Sequence, residues 1–365
     1  MKVLVVGVNT RPVVNSVKNL GYEVYSVSYY NPMDLNADKK KYIINDKQHG
    51  HFKDKYNEKE LINLSKNYVD EVDLIFVCSG IFESKHSKTP DWDVVGNSPK
   101  KIKRVSNKYH TIRKLENLGY NVPITYIANN LFQLEKYLSE LKSVVIKPIS
   151  GSGGMGVVSL SYDGLDWELK RSKDILNIKF PVIVQELIQS YSFSASFIDL
   201  NFITFNKQII ENNMYIGNIT PYMPKDISKE STVSQFKELI EAFDLKGMNG
   251  IDFMIRDGNP CILEINPRIL GTFETIEMSS NENLASAILT NKPVKPKFQF
   301  FKRILFAKEK LVSYIKKQPL VFDIPRYGAI IEQNEPLTTV IGRNIDEINK
   351  VTDHVFKRCI SYETK

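Results

Sequence analysis

The chain has 365 residues, 42% of them hydrophobic and 25% charged, a globular balance with enough length for two or three packed units. Its net charge of +7 gathers at Lys39-Lys40-Lys41, at Lys100 to Arg104 and between Lys308 and Lys317. The aromatic residues are spread along the chain, so a solvated basic face or a pull on anionic substrates is expected rather than nucleic-acid binding. No apolar run approaches a membrane span, Met1-Lys2 runs into Val3-Leu4-Val5-Val6 with no signal segment expected, and Cys78, Cys261 and Cys359 lie too far apart for a zinc site, which suits a reducing cytoplasm.

Residues 2–8 form a short apolar run ending near glycine, the pattern of a buried parallel strand. Val13, Val17 and Leu20 carry helical spacing that stops at Gly21. Glu23 to Tyr29 reads as a strand, followed by a polar lysine-rich loop in which His49 and His51 are expected at the surface. Lys59 to Tyr68 reads as a helix and Asp73 to Cys78 as a strand stopping before Gly80. This strand–helix–strand alternation predicts a small parallel α/β unit. Asn9, Thr10 and Arg11 follow its first strand, where such sheets bind ligands. They are substrate candidates, with a plain turn as the equal alternative.

A second unit opens at Gly96-Asn97-Ser98-Pro99. Helices are expected from Asn107 to Leu118 and from Leu131 to Leu141, and then Val144-Val145-Ile146-Lys147-Pro148 leads into Gly151-Ser152-Gly153-Gly154-Met155-Gly156. Glycines lacking Cβ let backbone N–H groups approach an anion, and Lys147 adds a mobile charge beside them. A dinucleotide fold needs a helix after such a loop, but Val157 to Leu160 looks like a strand. A P-loop needs a Gly-Lys-Ser/Thr ending that is absent. A lid over nucleotide phosphates and a bland hairpin remain. Phe180 to Glu186, Ser194 to Asn201 and Ile203 to Glu211 read as sheet, and Ser234 to Phe243 as a helix.

Met248 to Arg256 and Asn259 to Arg268 flank Asp257-Gly258 as a β-hairpin. Glu264 and Asn266 share one strand face, and Asp252 falls opposite Glu264 if a three- or five-residue loop sets the register. A one-residue slip would dismantle the set. Two carboxylates and an amide oxygen suit Mg²⁺, which binds through carboxylates and substrate phosphates. Arg268 offers a planar fork for a phosphate or carboxylate. Gly271-Thr272-Phe273-Glu274 either borders a second substrate or is a turn.

Taken in order, these residues resemble the ATP-grasp superfamily of carboxylate ligases related to biotin carboxylase, carbamoyl-phosphate synthase and D-alanine ligase. The likeness covers roughly residues 96 to 275. It implies an α/β fold of the α+β ATP-grasp type: a parallel pre-ATP-grasp unit (1–95), an ATP-grasp domain (96–290, lid about 143–188) and a C-terminal extension (291–365). Asp323 to Gly328 and a strand-like tail resemble the extension of archaeal ATP-dependent carboligases. The resemblance implies ATP contacts from Lys108, Lys147, the lid residues Gly151, Ser152, Gly153, Gly154, Met155 and Gly156, and the hinge Gln185, Glu186, Leu187 and Ile188. Mg²⁺, with Mn²⁺ as an alternative, would be held by Asp252, Glu264 and Asn266, and Arg268 would stabilise the transferring phosphoryl. Many relatives place an acid on the ribose soon after the hinge. Gln189 to Ser194 has none, which leaves Glu186 as the acidic candidate. The implied reaction joins a carboxylate to an amine through an acylphosphate in a cytoplasmic enzyme, and a homodimer is compatible with it. A bicarbonate-phosphorylating carboxylase and a non-catalytic ATP sensor are the alternatives. No biotin-carrier lysine motif is visible.

Overall fold

The computed structural model describes residues 1–45, 47–52, 56–84, 89–151, 154, 156–162 and 178–362. The first unit contains β1 (Lys2–Gly7), α1 (Arg11–Lys18), β2 (Glu23–Ser28), β3 (Lys39–Tyr42), β4 (Gln48–Gly50), α2 (Glu58–Val69) and β5 (Leu74–Val77). Strands β3-β2-β1-β5 form an all-parallel sheet. Its apolar strands bury both faces, one under α1 and the other under α2. Lys39 to Tyr42 is therefore an edge strand and not a loop. The Lys39 ammonium lies 4.3 Å over the Tyr25 ring and that of Lys41 4.9 Å over Tyr68, so both charges rest on aromatic faces as cation–π contacts.

The chain continues with α3 (Pro99–Val105), α4 (Lys108–Asn117), β6 (Thr125–Ala128), α5 (Leu131–Leu141), β7 (Ser143–Pro148), β8 (Val158–Ser161) and β9 (Val182–Glu186). Strands β6-β9-β7-β8 make a small antiparallel sheet packed on α5. Helix α4 starts where the side chain of Asn107 accepts from His110 N, and α5 where Asn130 accepts from Gln133 N.

Then follow β10 (Phe193–Ile198), β11 (Asn201–Glu211), β12 (Met214–Thr220), α6 (Lys229–Ala242), β13 (Met248–Arg256), β14 (Asn259–Asn266), α7 (Phe273–Ser280) and α8 (Leu284–Thr290). The remaining elements are β15 (Phe300–Phe306), β16 (Leu311–Ser313), β17 (Val321–Phe322), β18 (Ala329–Ile331), β19 (Pro336–Gly342), α9 (Ile345–Phe356) and β20 (Cys359–Ser361). An antiparallel sheet of order β14-β13-β10-β11-β12-β15-β19-β17 forms the frame of the molecule. Helix α6 begins at Lys229, ahead of the expected Ser234, because Ser228 caps it through Ser231 N. The tail expected as strands also contains α9, capped by Asn344.

Two features bind the units together. Strand β4 from the first unit pairs in parallel with β18, in a sheet of order β20-β16-β18-β4. Helices α7 and α8 pack Phe273, Ile276, Leu284 and Ile288 into the same core as Val3, Val5 and Val14 of the parallel sheet. His49 is consequently buried, 4% exposed, and not a surface residue. Its ring lies 5.3 Å from that of Tyr30.

Candidate nucleotide and metal site

The acidic hairpin turns at Asp257 and Gly258, both with positive φ, so a two-residue primed turn joins Arg256 to Asn259. Carried on regularly, that register would set Leu263 opposite Asp252. A β-bulge between Asp252 and Phe253 adds one residue on β14, and Asp252 faces Glu264 instead. The expected three- or five-residue loop is thus replaced by a tight turn plus a bulge, which reach the same pairing. Gly250 stands opposite Asn266, whose Nδ2 donates to Asp252 Oδ2 at 3.1 Å.

Lys108 opens α4, and its backbone N–H donates to Ile149 O at 3.1 Å, two residues beyond Lys147. This tie brings the two lysines to the acids. The Lys108 ammonium bonds Glu264 Oε2, and that of Lys147 donates to Gln185 Oε1 at 2.7 Å. Gln185 Nε2 is in turn spent on Thr125 Oγ1 at 2.9 Å. Gln185 is neutral, so among the described residues half-buried Lys147 has no ion-pair partner at bonding distance. Burial and the Lys108 charge pull it down to about 8, against the attraction of Glu264 and Asp252.

The two acids are driven apart. Burial, then repulsion from Glu264, pushes Asp252 up to about 6, although Gln208 hydrogen-bonds it. Burial also disfavours charge on Glu264, but Lys108 outweighs it and holds that carboxyl below its ordinary value. The result is a half-buried pair of carboxylates, a donor set of hard oxygens that fits a divalent cation. Among the described residues no group of three or more His, Cys, Asp or Glu converges on one point, so the third ligand would be Asn266.

Arg268 spends Nε on Glu83 Oε1 at 2.6 Å, Nη1 on Ile269 O at 3.2 Å and Nη2 on Asn266 Oδ1 at 3.2 Å. Glu83 belongs to the parallel unit, and its other oxygen accepts from Gly80 N at 2.8 Å. Glu83, Gln208 and Thr125 were not anticipated. They act through other side chains, and no local pattern marks them.

The remaining expectations fall into three groups. Strands β7 and β8 pair as predicted, with Gly151, Gly154 and Gly156 all at positive φ. The Gly154 backbone lies so close to Asn213 that a Cβ there would stand 2.2 Å from Asn213 O. Ser152, Gly153 and Met155 lie outside the described residues. In the hinge, Glu186 is already bonded to Arg256 and accepts from Ile124 N at 2.9 Å, and the Leu187 N–H donates to Ser143 O at 3.0 Å. Leu187 and Ile188 are half-buried.

Arg11 does not face a substrate. It is 2% exposed, its two Nη atoms grip Glu274 at 2.5 and 2.7 Å, and its Nε bonds Asp323 at 2.7 Å. Asn9 Nδ2 bonds the same Asp323 oxygen at 2.8 Å, and Thr10 hydrogen-bonds Ser26 at 2.7 Å. These residues brace three parts of the chain.

A parallel unit, a small antiparallel sheet bearing Lys147 and a large antiparallel sheet bearing the acids meet at this site. Residues 105–272 match the model of the ATP-grasp domain, and the chain belongs to the ATP-grasp family. It is 51% identical over 369 residues, all of this chain and 94% of the relative, to the uncharacterized protein MJ0776 of Methanocaldococcus jannaschii. Among solved structures, it resembles phosphoribosylamine–glycine ligase of Thermotoga maritima at 18% identity (TM-score 0.69, covering 99% of this chain and 97% of that one). It also resembles the biotin carboxylase domain of Hydrogenobacter thermophilus 2-oxoglutarate carboxylase, in complex with MgADP, ADP and bicarbonate, at 14% identity (TM-score 0.70, covering 98% and 90%).

Proposed function

We propose that this protein is an ATP- and Mg²⁺-dependent ligase that activates a carboxylate as an acylphosphate and passes the acyl group to an amine. The observation that supports this most is the register pairing of Asp252 with Glu264 beneath Lys108 and Lys147. One of the structures it resembles is a ligase of an amine and glycine.

In the proposed reaction a carboxylate oxygen attacks the γ-phosphorus of ATP and ADP leaves. The amine nitrogen then attacks the acyl carbon, loses a proton and displaces phosphate. Enzymes of this kind work mainly by positioning and charge neutralisation. Lys147, unpaired with any carboxylate among the described residues, serves an anionic phosphate. Lys108 bridges phosphate to Glu264, and Arg268 presents its remaining N–H groups to the transferring phosphoryl. Gly151, Ser152, Gly153, Gly154, Met155 and Gly156 cover the phosphates, and Gln185, Glu186, Leu187 and Ile188 border the base and ribose. Asp252, Glu264 and Asn266 would hold Mg²⁺ or Mn²⁺, which supplies charge neutralisation at the phosphates when bound. The units 1–95, 96–290 and 291–365 are the proposed domains, in a cytoplasmic enzyme.

The test is ATP consumption with Mg²⁺ over a panel of carboxylates and amines, with ADP and phosphate scored separately. ADP and phosphate formed only with one pair would establish the ligase. AMP and pyrophosphate, or tight ATP binding with no turnover on any pair, would overturn it.

A further inference from the structure

Lys302 lies in β15, on the sheet face that carries the acids. Its register partner is Asn218 of β12, which stands opposite Gln208 of β11, the side chain that bonds Asp252. The residue is 7% exposed, and among the described residues its ammonium has one hydrogen-bond acceptor, Gly271 O at 3.1 Å. An ammonium has three N–H donors, so two are unspent, and burying charged donors without partners is costly.

The neighbouring acids do not take them. Both oxygens of Glu274 accept from Arg11. Asp323 accepts from Arg11, Asn9 and Thr339.

Two other sources of positive potential flank Gly271 along the chain. Helix α7 begins at Phe273, and its N-cap Thr272 makes no side-chain cap bond. Arg268 spends three N–H groups on Glu83, Ile269 and Asn266, which leaves two of its five. Gly271 itself is exposed, and a Cβ there would lie 3.8 Å from the Tyr215 hydroxyl, in ordinary contact.

We infer that Lys302 reads a second carboxylate on the acceptor substrate, so that the enzyme selects dicarboxylic acceptors over monocarboxylic ones. This rests on the ligase reading. Arg268 and Gly271 are three residues apart, so their Cα atoms lie within about 11 Å of each other.

The experiment measures binding of succinate, glutarate, butyrate and inorganic phosphate to the full chain, by calorimetry, with Mg²⁺ and a non-hydrolysable ATP analogue present. Wild type is expected to bind a dicarboxylate at least about tenfold more tightly than butyrate. Lys302→Met and Lys302→Gln should lose that preference, Lys302→Arg should keep part of it, and all three should bind nucleotide as wild type does. An unchanged preference in Lys302→Gln, which can still bond Gly271 O, would reduce the lysine to a loop tie and overturn the inference. So would a wild type that favours no diacid, or one that responds to phosphate alone. Absence of nucleotide binding in wild type would instead remove the ligase reading itself.

Discussion

Glu264 is where most of the local charge converges. It faces Asp252 across the hairpin, carries Lys108, and feels Lys147 and Arg268. Replacing it with glutamine keeps the shape but removes the charge that would meet a metal ion. Glu264→Gln should therefore lower kcat by roughly a hundredfold or more while the melting temperature stays near wild type. Steady-state ATP turnover and a melting curve on the same sample check both halves. A different residue contributes to the loss of stability at low pH. His49 is buried, and burial pulls it down to about 4 from its ordinary 6.5, against the attraction of Asp323. The folded value lies below the free one, so neutral His49 contributes stability above pH 6.5. That contribution is lost as pH falls from 6.5 through 4, reaching about 3 kcal/mol. A His49→Gln variant should show a flatter fall in denaturant midpoint across that window.

At the scale of elements, the hairpin shows how local chemistry and tertiary demand combine. Asp-Gly marks a two-residue turn, which read alone would place a leucine against Asp252. The bulge on β14 corrects the face. A second junction depends on two glycines. Gly247, with φ +64, enters β13 so close to Gly96, at the start of the second unit, that a Cβ would stand 2.7 Å from Gly96 Cα. Gly247→Ala meets both backbone strain and that contact, and should destabilise the protein by about 1–3 kcal/mol in urea unfolding. The ends of the secondary-structure elements were largely legible because caps and turns are local. Asn130 accepts from a backbone N–H three residues on, as its sequence invites, whereas the matching cap that Asn344 gives α9 lies in a tail expected as strands. Strand β3 was missed because Lys39-Lys40-Lys41 has no apolar period, and tyrosine faces on β2 and α2 supply its partner surface instead.

At the scale of the whole molecule, Arg11 is the latch. It joins α1 to Glu274 in the first turn of α7 and to Asp323 in the C-terminal segment, and Asp34 lies 3.4 Å away. Burial disfavours its charge, yet Asp323, Glu274 and Asp34 hold it protonated. Removing one partner of such a buried set strands the others. Arg11→Met should cost about 3–5 kcal/mol in denaturant unfolding. A double-mutant cycle with Glu274→Gln should show strong coupling, whereas additive losses would show that the latch is unimportant.

What the sequence determined by itself was everything carried by period, turn chemistry and motif order: the parallel unit, the lid strands around Lys147, the acidic hairpin and the ATP-grasp class. Those signals lie within a few residues of one another. Tertiary structure alone decided that Arg268 is aimed by Glu83, 185 residues away, and that Arg11 is spent on Glu274, 263 residues away, and not on a substrate. It also decided that Lys302 is buried beside Gly271 with donors to spare. A side chain's local sequence records its type and its face. Its partner depends on which distant elements the hydrophobic core brings together.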